Sequence, residues 1–441
     1  MRRKSLRTAV LGIMAAITLA AAPAAATVSE NGHAAAEVHL QRALDLVDRG
    51  RIDEAINEIE KLVARYPNFR LAYLVQGDLL LARTRPIRDF GSAAPVSDRL
   101  TGLRAELAAR VRDSRDRPPA NYVPRYLMRL EPTQKHAIVV DTSRARVYVF
   151  RNVDGTPRLV RDYYSTIGKH GISKEREGDK KTPIGAYYVT SYIPGKKLPD
   201  LYGWGAFPIS YPNEWDRRRG RTGYGIWIHG VPSDNYARAP LASDGCLALA
   251  NPEIGELAER VQPGSTPVVI SERVEWLAPQ AWRAEADAFG RQLEAWRRDW
   301  ESRDSERYLA HYARAFSSDG MDLAAWSAHK RRVNAAKKWI KVQLEAVSVL
   351  RSPGREPLIV VTFEQDYRSS SLSQRTRKRQ YWALEDGRWK IAYEAPVQRA
   401  APALPESYPK SRTLAWPVAQ ARASHSRAAA EAPQRAESRY R

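Results

Sequence analysis

The chain has 441 residues, a net charge of +21 and one cysteine. This length exceeds the usual size of a single domain, so we expect two or three domains, and a hydrophobic content of 43% is enough to give them packed cores. A single cysteine excludes an internal disulfide. The strong positive charge favours an anionic partner: a nucleic acid, an anionic lipid or an acidic wall polymer.

Residues 1–26 have the layout of a secretory signal. The basic stretch MRRKSLR precedes a largely apolar stretch of fifteen residues, TAVLGIMAAITLAAA, and small residues follow as far as Ala26. Fifteen apolar residues fall short of the roughly 20 needed to span a bilayer, which argues against an uncleaved anchor. We therefore expect an exported protein, periplasmic or in the cell envelope. A basic protein there rarely meets nucleic acid, so no nucleic-acid partner is expected.

Residues 34–115 are predicted to form an α-helical, repeat-like segment. Apolar residues recur at helical spacing, Gly50 stands where the first helix should end, and Pro67 closes the second. The pattern resembles a tetratricopeptide unit, whose helices need neighbours to bury their apolar faces. We expect this segment to pack on the rest of the chain or on an envelope partner, such as a wall-linked lipoprotein. The proline-rich residues 116–134 are predicted to be a linker.

Residues 135–272 are predicted to form a mostly-β domain. Short runs rich in Val, Ile and Tyr, such as AIVVD, RVYVFR and YYVTSYI, are separated by turn signals such as Asp154-Gly155. TPVVIS is expected to be the last strand of this domain.

Residues 282–397 are predicted to form an α+β domain. They begin with large apolar residues at helical spacing: Trp282, Phe289, Leu293, Trp296 and Trp300. This helical region is predicted to continue to Phe316, with a second helical stretch over 322–338 and four strands after it. The order resembles the nuclear transport factor 2-like fold, a small cone that is often only a binding or docking module. Residues 398–441 lack periodicity and are predicted to be a disordered basic tail.

Cys246 and His229 carry the candidate chemistry. A thiol attacks a carbonyl carbon as the thiolate, so it needs a base, and imidazole has a suitable pKa. His229 ends the predicted strand IWIHG and lies seventeen positions before the thiol. Gly245 directly precedes the thiol and lets backbone N–H groups approach a reacting carbonyl oxygen. The plain alternative is a buried structural cysteine, since free cysteines are usually buried.

Three motifs together resemble the catalytic domain of the L,D-transpeptidases, wall enzymes that act on peptidoglycan stem peptides: KTPIGAY (181–187), IWIHG (226–230) and SDGC (243–246). The resemblance implies these roles: Cys246 as nucleophile, His229 as general base, the Gly230 carbonyl as the acceptor that orients His229, Gly245 with the Cys246 amide as the oxyanion region, and Ser243 and Asp244 as substrate-binding residues.

Two positions depart from the pattern of that family. Asp244 stands where most members have a second histidine, and Ala248 stands where most have an arginine. The missing arginine removes a bidentate contact to a carboxylate. The form with Asp244 is similar to family members that hydrolyse the link between diaminopimelate and a wall-attached lipoprotein.

We therefore predict an exported cysteine L,D-transpeptidase that acts on peptidoglycan stem peptides through a thioester acyl-enzyme. One alternative is an L,D-specific amidase of the same family that releases a wall-linked lipoprotein. Another is a non-catalytic adaptor that binds the wall. No metal or other cofactor is expected, because His136 and His170 are too far apart in sequence to suggest a ligand cluster.

Overall fold

The computed structural model describes residues 35–86, 90–91, 97–115, 117–119 and 121–397. The predicted secretory signal and the predicted basic tail lie outside these residues. Within the described ranges, no helix combines the length and the apolar character needed to cross a membrane.

The N-terminal part of the described chain is helical, as predicted. Its helices are α1 (Ala35–Asp48), α2 (Ile52–Arg65), α3 (Arg70–Ala82) and α4 (Asp98–Arg115). Gly50 takes a φ of +72° in the turn between α1 and α2, a conformation that favours glycine. The apolar faces of the helices meet in one core, which also contains Tyr236 and Ala250 of the next domain. The helical segment therefore packs on the rest of the chain.

The central domain is mostly β, as predicted. Its elements, and two short strands before it, are β1 (Val123–Pro124), β2 (Leu127–Arg129), β3 (His136–Asp141), β4 (Arg146–Val153), β5 (Thr156–Tyr164), β6 (Ile167–Gly168), β7 (Gly185–Tyr188), β8 (Ile193–Pro194), β9 (Gly205–Pro208), α5 (Glu214–Arg218), β10 (Trp227–His229), β11 (Leu241–Ser243), β12 (Leu247–Ala248), α6 (Asn251–Ala258), β13 (Pro267–Ser271) and β14 (Trp276–Leu277).

Three sheets organise this domain. A five-stranded sheet in the order β5–β4–β3–β13–β7 forms its centre. Both β3 and β13 are buried along nearly their whole length, which explains their continuous apolar sequences. A four-stranded sheet, β12–β10–β9–β8, and a pair of parallel strands, β11 and β6, hold the residues predicted to be catalytic.

The C-terminal domain is an α+β fold, as predicted. Its elements are α7 (Pro279–Ser302), α8 (Ser305–Leu309), β15 (Tyr312–Ser318), β16 (Met321–Asp322), α9 (Leu323–Ala335), β17 (Ile340–Ser352), β18 (Leu358–Ser369), β19 (Ser373–Glu385) and β20 (Arg388–Pro396). The sheet order is β16–β15–β20–β19–β18–β17–β2. Aromatic side chains of α7, including Trp296 and Trp300, pack against this sheet.

The structure differs from the sequence-based expectation in two places. The helical region does not continue to Phe316, because Tyr312–Ser318 forms β15 and pairs with β20. Sheet pairing overrides the helical spacing of these residues. The segment predicted to be a linker also contains two strands: β1 pairs with β14, and β2 pairs with β17 at the edge of the C-terminal sheet.

The central and C-terminal domains share one apolar core. It contains Val139 and Val269 of the five-stranded sheet together with Val360 and Tyr381 of the C-terminal sheet. A polar contact supports it, since the Tyr381 hydroxyl donates to the Glu214 carboxylate at 2.6 Å. The C-terminal domain therefore packs against the central domain.

Candidate active site

His229 ends β10 with its side chain buried and oriented by its neighbour. Its Nδ1 lies 2.6 Å from the carbonyl oxygen of Gly230. A carbonyl oxygen can only accept, so Nδ1 carries the proton and Nε2 has the free lone pair. Burial lowers the pKa of His229 to about 4, although its hydrogen bond to Gly230 opposes this. The imidazole is therefore neutral at neutral pH and can accept a proton.

The backbone at Gly230 is packed too closely for any larger residue. A Cβ atom added there would lie 2.2 Å from Oδ1 of Asn251. That Oδ1 accepts hydrogen bonds from the amides of Trp204 at 2.9 Å and Val231 at 3.2 Å, and Nδ2 donates to the Val231 carbonyl at 2.8 Å. Asn251, the first residue of α6, therefore fixes the peptides on which the orientation of His229 depends.

Cys246 lies in a tight turn between β11 and β12. The Ser243 hydroxyl donates to the Cys246 carbonyl at 2.7 Å and accepts from the Gly245 amide at 3.1 Å. The Thr182 hydroxyl donates to the Gly245 carbonyl at 3.0 Å. Gly245 has a φ of +122°, and an added Cβ would lie 2.7 Å from the carbonyl oxygen of Lys181. The turn therefore requires glycine before the thiol.

The thiol of Cys246 is partly exposed and protonated at neutral pH. Its Sγ donates to the carbonyl oxygen of Gly225 at 3.3 Å rather than to His229. Burial raises the pKa of Cys246 to about 11, and a hydrogen bond from the Trp227 amide opposes this. Parallel pairing places Ile228 opposite Leu247 and His229 opposite Ala248, so the thiol and the imidazole lie at neighbouring strands.

Ser243 and Asp244, the predicted substrate-binding residues, lie in different surroundings. Ser243 is buried and its hydroxyl is used inside the turn. Asp244 is exposed, and its carboxylate forms an ion pair with Lys169 at 2.8 Å. This contact with Lys169 is the main reason why the pKa of Asp244 is lowered. Of the two, Asp244 is the side chain that an approaching ligand can reach.

Three residues near the site were missed by the sequence reasoning: Thr182, Arg238 and Asn251. Thr182 belongs to the KTPIGAY motif, so its position was available although its role was not. Asn251 and Arg238 had no local signal, because each acts through contacts made only in the folded chain. Arg238 lies in the loop between β10 and β11, and its charge affects both Cys246 and Asp244.

Two parts of the chain match known protein families. Residues 135–270 match the L,D-transpeptidase catalytic domain family, and residues 288–395 match the family described as the Cds6 C-terminal NTF2-like domain. The chain thus contains an L,D-transpeptidase-type catalytic domain followed by an NTF2-like domain, and the predicted resemblances to these two families are confirmed. The resemblance of residues 34–115 to a tetratricopeptide unit stays a prediction.

Named relatives and solved structures show the same likeness. YafK of Escherichia coli K12, whose name assigns it to the L,D-transpeptidases only provisionally, is 34% identical over 88 residues, which are 20% of this chain and 31% of YafK. The chain therefore matches less than a third of that relative. Bd1075 of Bdellovibrio bacteriovorus superposes with a TM-score of 0.56 at 28% identity, over 63% of this chain and 98% of that structure. The helical cell shape determining protein Pgp2 of Campylobacter jejuni gives a TM-score of 0.52 at 26% identity, over 63% of this chain and 96% of that structure.

Proposed function

We propose that this protein is an exported cysteine enzyme of the L,D-transpeptidase type, which acts on peptidoglycan stem peptides through a thioester. The observation that carries the proposal is the oriented, neutral His229 on the strand next to the single thiol, Cys246. A purely structural cysteine needs neither an oriented base nor a turn that leaves its sulfur partly exposed. The match to the catalytic domain family supports the substrate class.

In the proposed mechanism, proton transfer accompanies attack. The pKa of Cys246 is about 11 and that of His229 about 4, so a preformed thiolate–imidazolium pair would be a minor species. Sγ would turn from the Gly225 carbonyl toward Nε2 of His229, give up its proton there and attack the carbonyl carbon of an L-residue. The C–N bond breaks, and His229 returns the proton to the leaving amine.

The oxyanion contact rests on the Cys246 amide. The Gly245 amide already donates to Ser243 in the structure, so the role of Gly245 is to shape the turn that presents its neighbour. An amide held in a rigid turn stabilises a developing negative charge without reorganisation.

The thioester has two possible acceptors, which define the transferase and the hydrolase forms of this function. An amine from a second stem peptide gives transpeptidation, whereas water gives hydrolysis. Both share Cys246 and His229. Because Pgp2 is described as determining cell shape, we extend the proposal to a role in wall remodelling that affects the shape of the cell.

The test is muropeptide analysis after the pure protein has been incubated with sacculi. New cross-links between stem peptides, or exchanged terminal D-residues, would show transfer, and shortened stems without new cross-links would show hydrolysis. Intact-protein mass spectrometry should detect the acyl group on the wild type.

The matched control is Cys246→Ala, which removes one sulfur atom from the turn. We expect it to fold like the wild type, with neither an acyl adduct nor altered muropeptides. Unchanged sacculi with the wild type, or equal products with the variant, would overturn the enzymatic proposal and leave the wall-binding adaptor.

A further inference from the structure

Arg238 places a positive charge beside the nucleophile. It lies in the loop between β10 and β11, and its guanidinium donates to the carbonyl of Ala242, near the start of the Cys246 turn. Its charge acts on three members of the site. The pKa of His229 is lowered mainly by burial and that of Asp244 mainly by Lys169, and the charge of Arg238 adds to both effects. Burial raises the pKa of Cys246, and the charge of Arg238 opposes this.

Two buried residues hold the backbone carbonyl of Arg238. The hydroxyl of Tyr164 donates to its carbonyl at 2.8 Å, and that of Thr166 donates to the same oxygen at 3.2 Å. Tyr236, two residues earlier, is buried in the core of the helical segment. The loop is therefore anchored on both sides, and the guanidinium starts from a fixed position.

The guanidinium forms no ion pair with a carboxylate in the described part of the chain. It donates to the neutral Ala242 carbonyl, and Asp244, whose charge acts on it, forms its ion pair with Lys169. Arg238 is also partly buried, and this burial lowers its pKa. A half-buried guanidinium without an ion-pair partner has already lost part of its hydration, which favours the binding of an anionic ligand.

We propose that Arg238 binds a carboxylate of the donor stem peptide and so positions its scissile carbonyl at Cys246. Position 248, where the family pattern has an arginine, holds a buried alanine that cannot bind a carboxylate. Arginine suits this task because its planar guanidinium can hold both carboxylate oxygens. The inference rests on the proposed function and adds a residue that determines substrate choice.

The two residues joined by the scissile bond each offer a carboxylate with the required chemistry: the one at the C-terminal D-residue and the one on the side chain of the diamino acid. Three synthetic stem tetrapeptides separate them: one with both groups free, one amidated at the terminus and one amidated at the side chain. Kinetics with the wild type, Arg238→Gln and Arg238→Lys identify the group.

For Arg238→Gln we expect KM for the free peptide to rise about ten- to hundredfold, the range for loss of a charge-assisted hydrogen bond. kcat should change less. Amidation of the carboxylate that Arg238 binds should raise the KM of the wild type by a similar factor and leave the KM of Arg238→Gln unchanged. Arg238→Lys should lie between the two, because it keeps the charge and loses the bidentate geometry.

Arg70→Gln is the matched control. Arg70, the first residue of α3, is exposed and pairs at 3.0 Å with Asp234 of the loop that carries Arg238, so this variant removes a cation in contact with the loop while leaving Arg238 in place. Thermal unfolding should match the wild type for both glutamine variants, which excludes collapse of the loop. Alkylation of Cys246 should match the wild type only in Arg70→Gln, because Arg238→Gln also removes a charge that favours the thiolate.

The outcomes separate this inference from the function on which it rests. Turnover by the wild type with the same KM in Arg238→Gln overturns the role of Arg238 alone. A rise in the KM of Arg238→Gln that is equal for all three peptides overturns it as well. An inert wild type overturns the proposed function and this inference together.

Discussion

The side chain of Asn251 is hydrogen-bonded to both backbone polar groups of Val231, accepting from its amide and donating to its carbonyl. The peptide before Val231 carries the Gly230 carbonyl, which accepts from Nδ1 of His229. Asn251 is thus a positioning residue, because it holds the group that selects the tautomer of the base.

We expect Asn251→Ala to lower kcat about tenfold or more and to reduce the free energy of unfolding by about 1–3 kcal/mol, the range for a buried hydrogen-bonding group left without its partner. Asn251→Asp is the sharper variant, since it keeps the acceptor for Trp204 and Val231 but loses the donor. The pH profile of kcat checks the mechanism. A variant that loses stability and keeps the wild-type profile would show that Asn251 acts on the fold alone.

The pKa values of Cys246 and His229 predict how the thiol reacts. Because burial raises the pKa of Cys246 to about 11, the thiolate fraction should grow about tenfold with each pH unit between pH 6 and pH 10. Alkylation by iodoacetamide, followed by mass spectrometry at this single cysteine, measures it. A plateau near neutral pH would instead reveal a preformed ion pair.

His229→Gln tests whether His229 takes the proton of Cys246 before the attack or during it. If His229 takes the proton only during attack, the variant should be alkylated at nearly the wild-type rate, while its kcat falls about a hundred- to ten-thousandfold. A large drop in the alkylation rate at neutral pH would contradict concerted proton transfer.

The sequence predicted Cys246 as a candidate nucleophile and His229 as a candidate base because their signals are local. IWIHG and SDGC each define a strand end or a turn, and the structure puts those turns at neighbouring strands. The domain order could also be predicted, because helical and strand periodicities change along the chain. These features depend on residues that are close in sequence.

The remaining parts of the site depend on distant contacts. Asn251 and Val231 are twenty positions apart, and Tyr164 lies 74 positions from the Arg238 carbonyl that it contacts. Such pairings have no periodicity that one sequence reveals. The same holds for β15, where pairing with β20 decided between strand and helix.

The raised pKa of Glu253 predicts that the stability of the protein depends on pH. It is buried in α6, and burial raises its pKa to about 8 from an ordinary value of 4.5, while the charge of Arg110 opposes this and that of Glu37 adds to it. The folded state therefore binds this proton more tightly than the unfolded state. Its contribution to stability is complete below about pH 4.5 and is lost as the pH rises toward 8.

Glu253→Gln removes this titration and keeps an oxygen that can accept from the Ala250 amide. We expect the free energy of unfolding of the variant to exceed that of the wild type by on the order of a few kcal/mol at pH 8 and by little at pH 4.5. Denaturant unfolding at both pH values measures the difference. An equal effect at both would contradict a titrating Glu253.

Tyr236 couples the helical segment to the loop that carries Arg238. Its ring lies 4.4 Å from that of Phe69 and 5.1 Å from that of Tyr66, and its amide donates to the Asn68 carbonyl at 3.1 Å. We expect Tyr236→Ala to reduce the free energy of unfolding by about 3–5 kcal/mol, as for other large aromatic residues truncated in a core. The loop should also loosen, so KM should rise along with this loss.

Tyr236→Phe is the matched control, because it keeps both ring contacts and the backbone hydrogen bond. It should retain KM and most of the stability, and limited proteolysis should cleave the loop of Tyr236→Ala faster than that of Tyr236→Phe. The coupling is excluded if Tyr236→Ala loses stability while KM and the cleavage rate of the loop stay at the wild-type values. In that case the helical segment would pack on the catalytic domain without holding the loop that leads to its nucleophile.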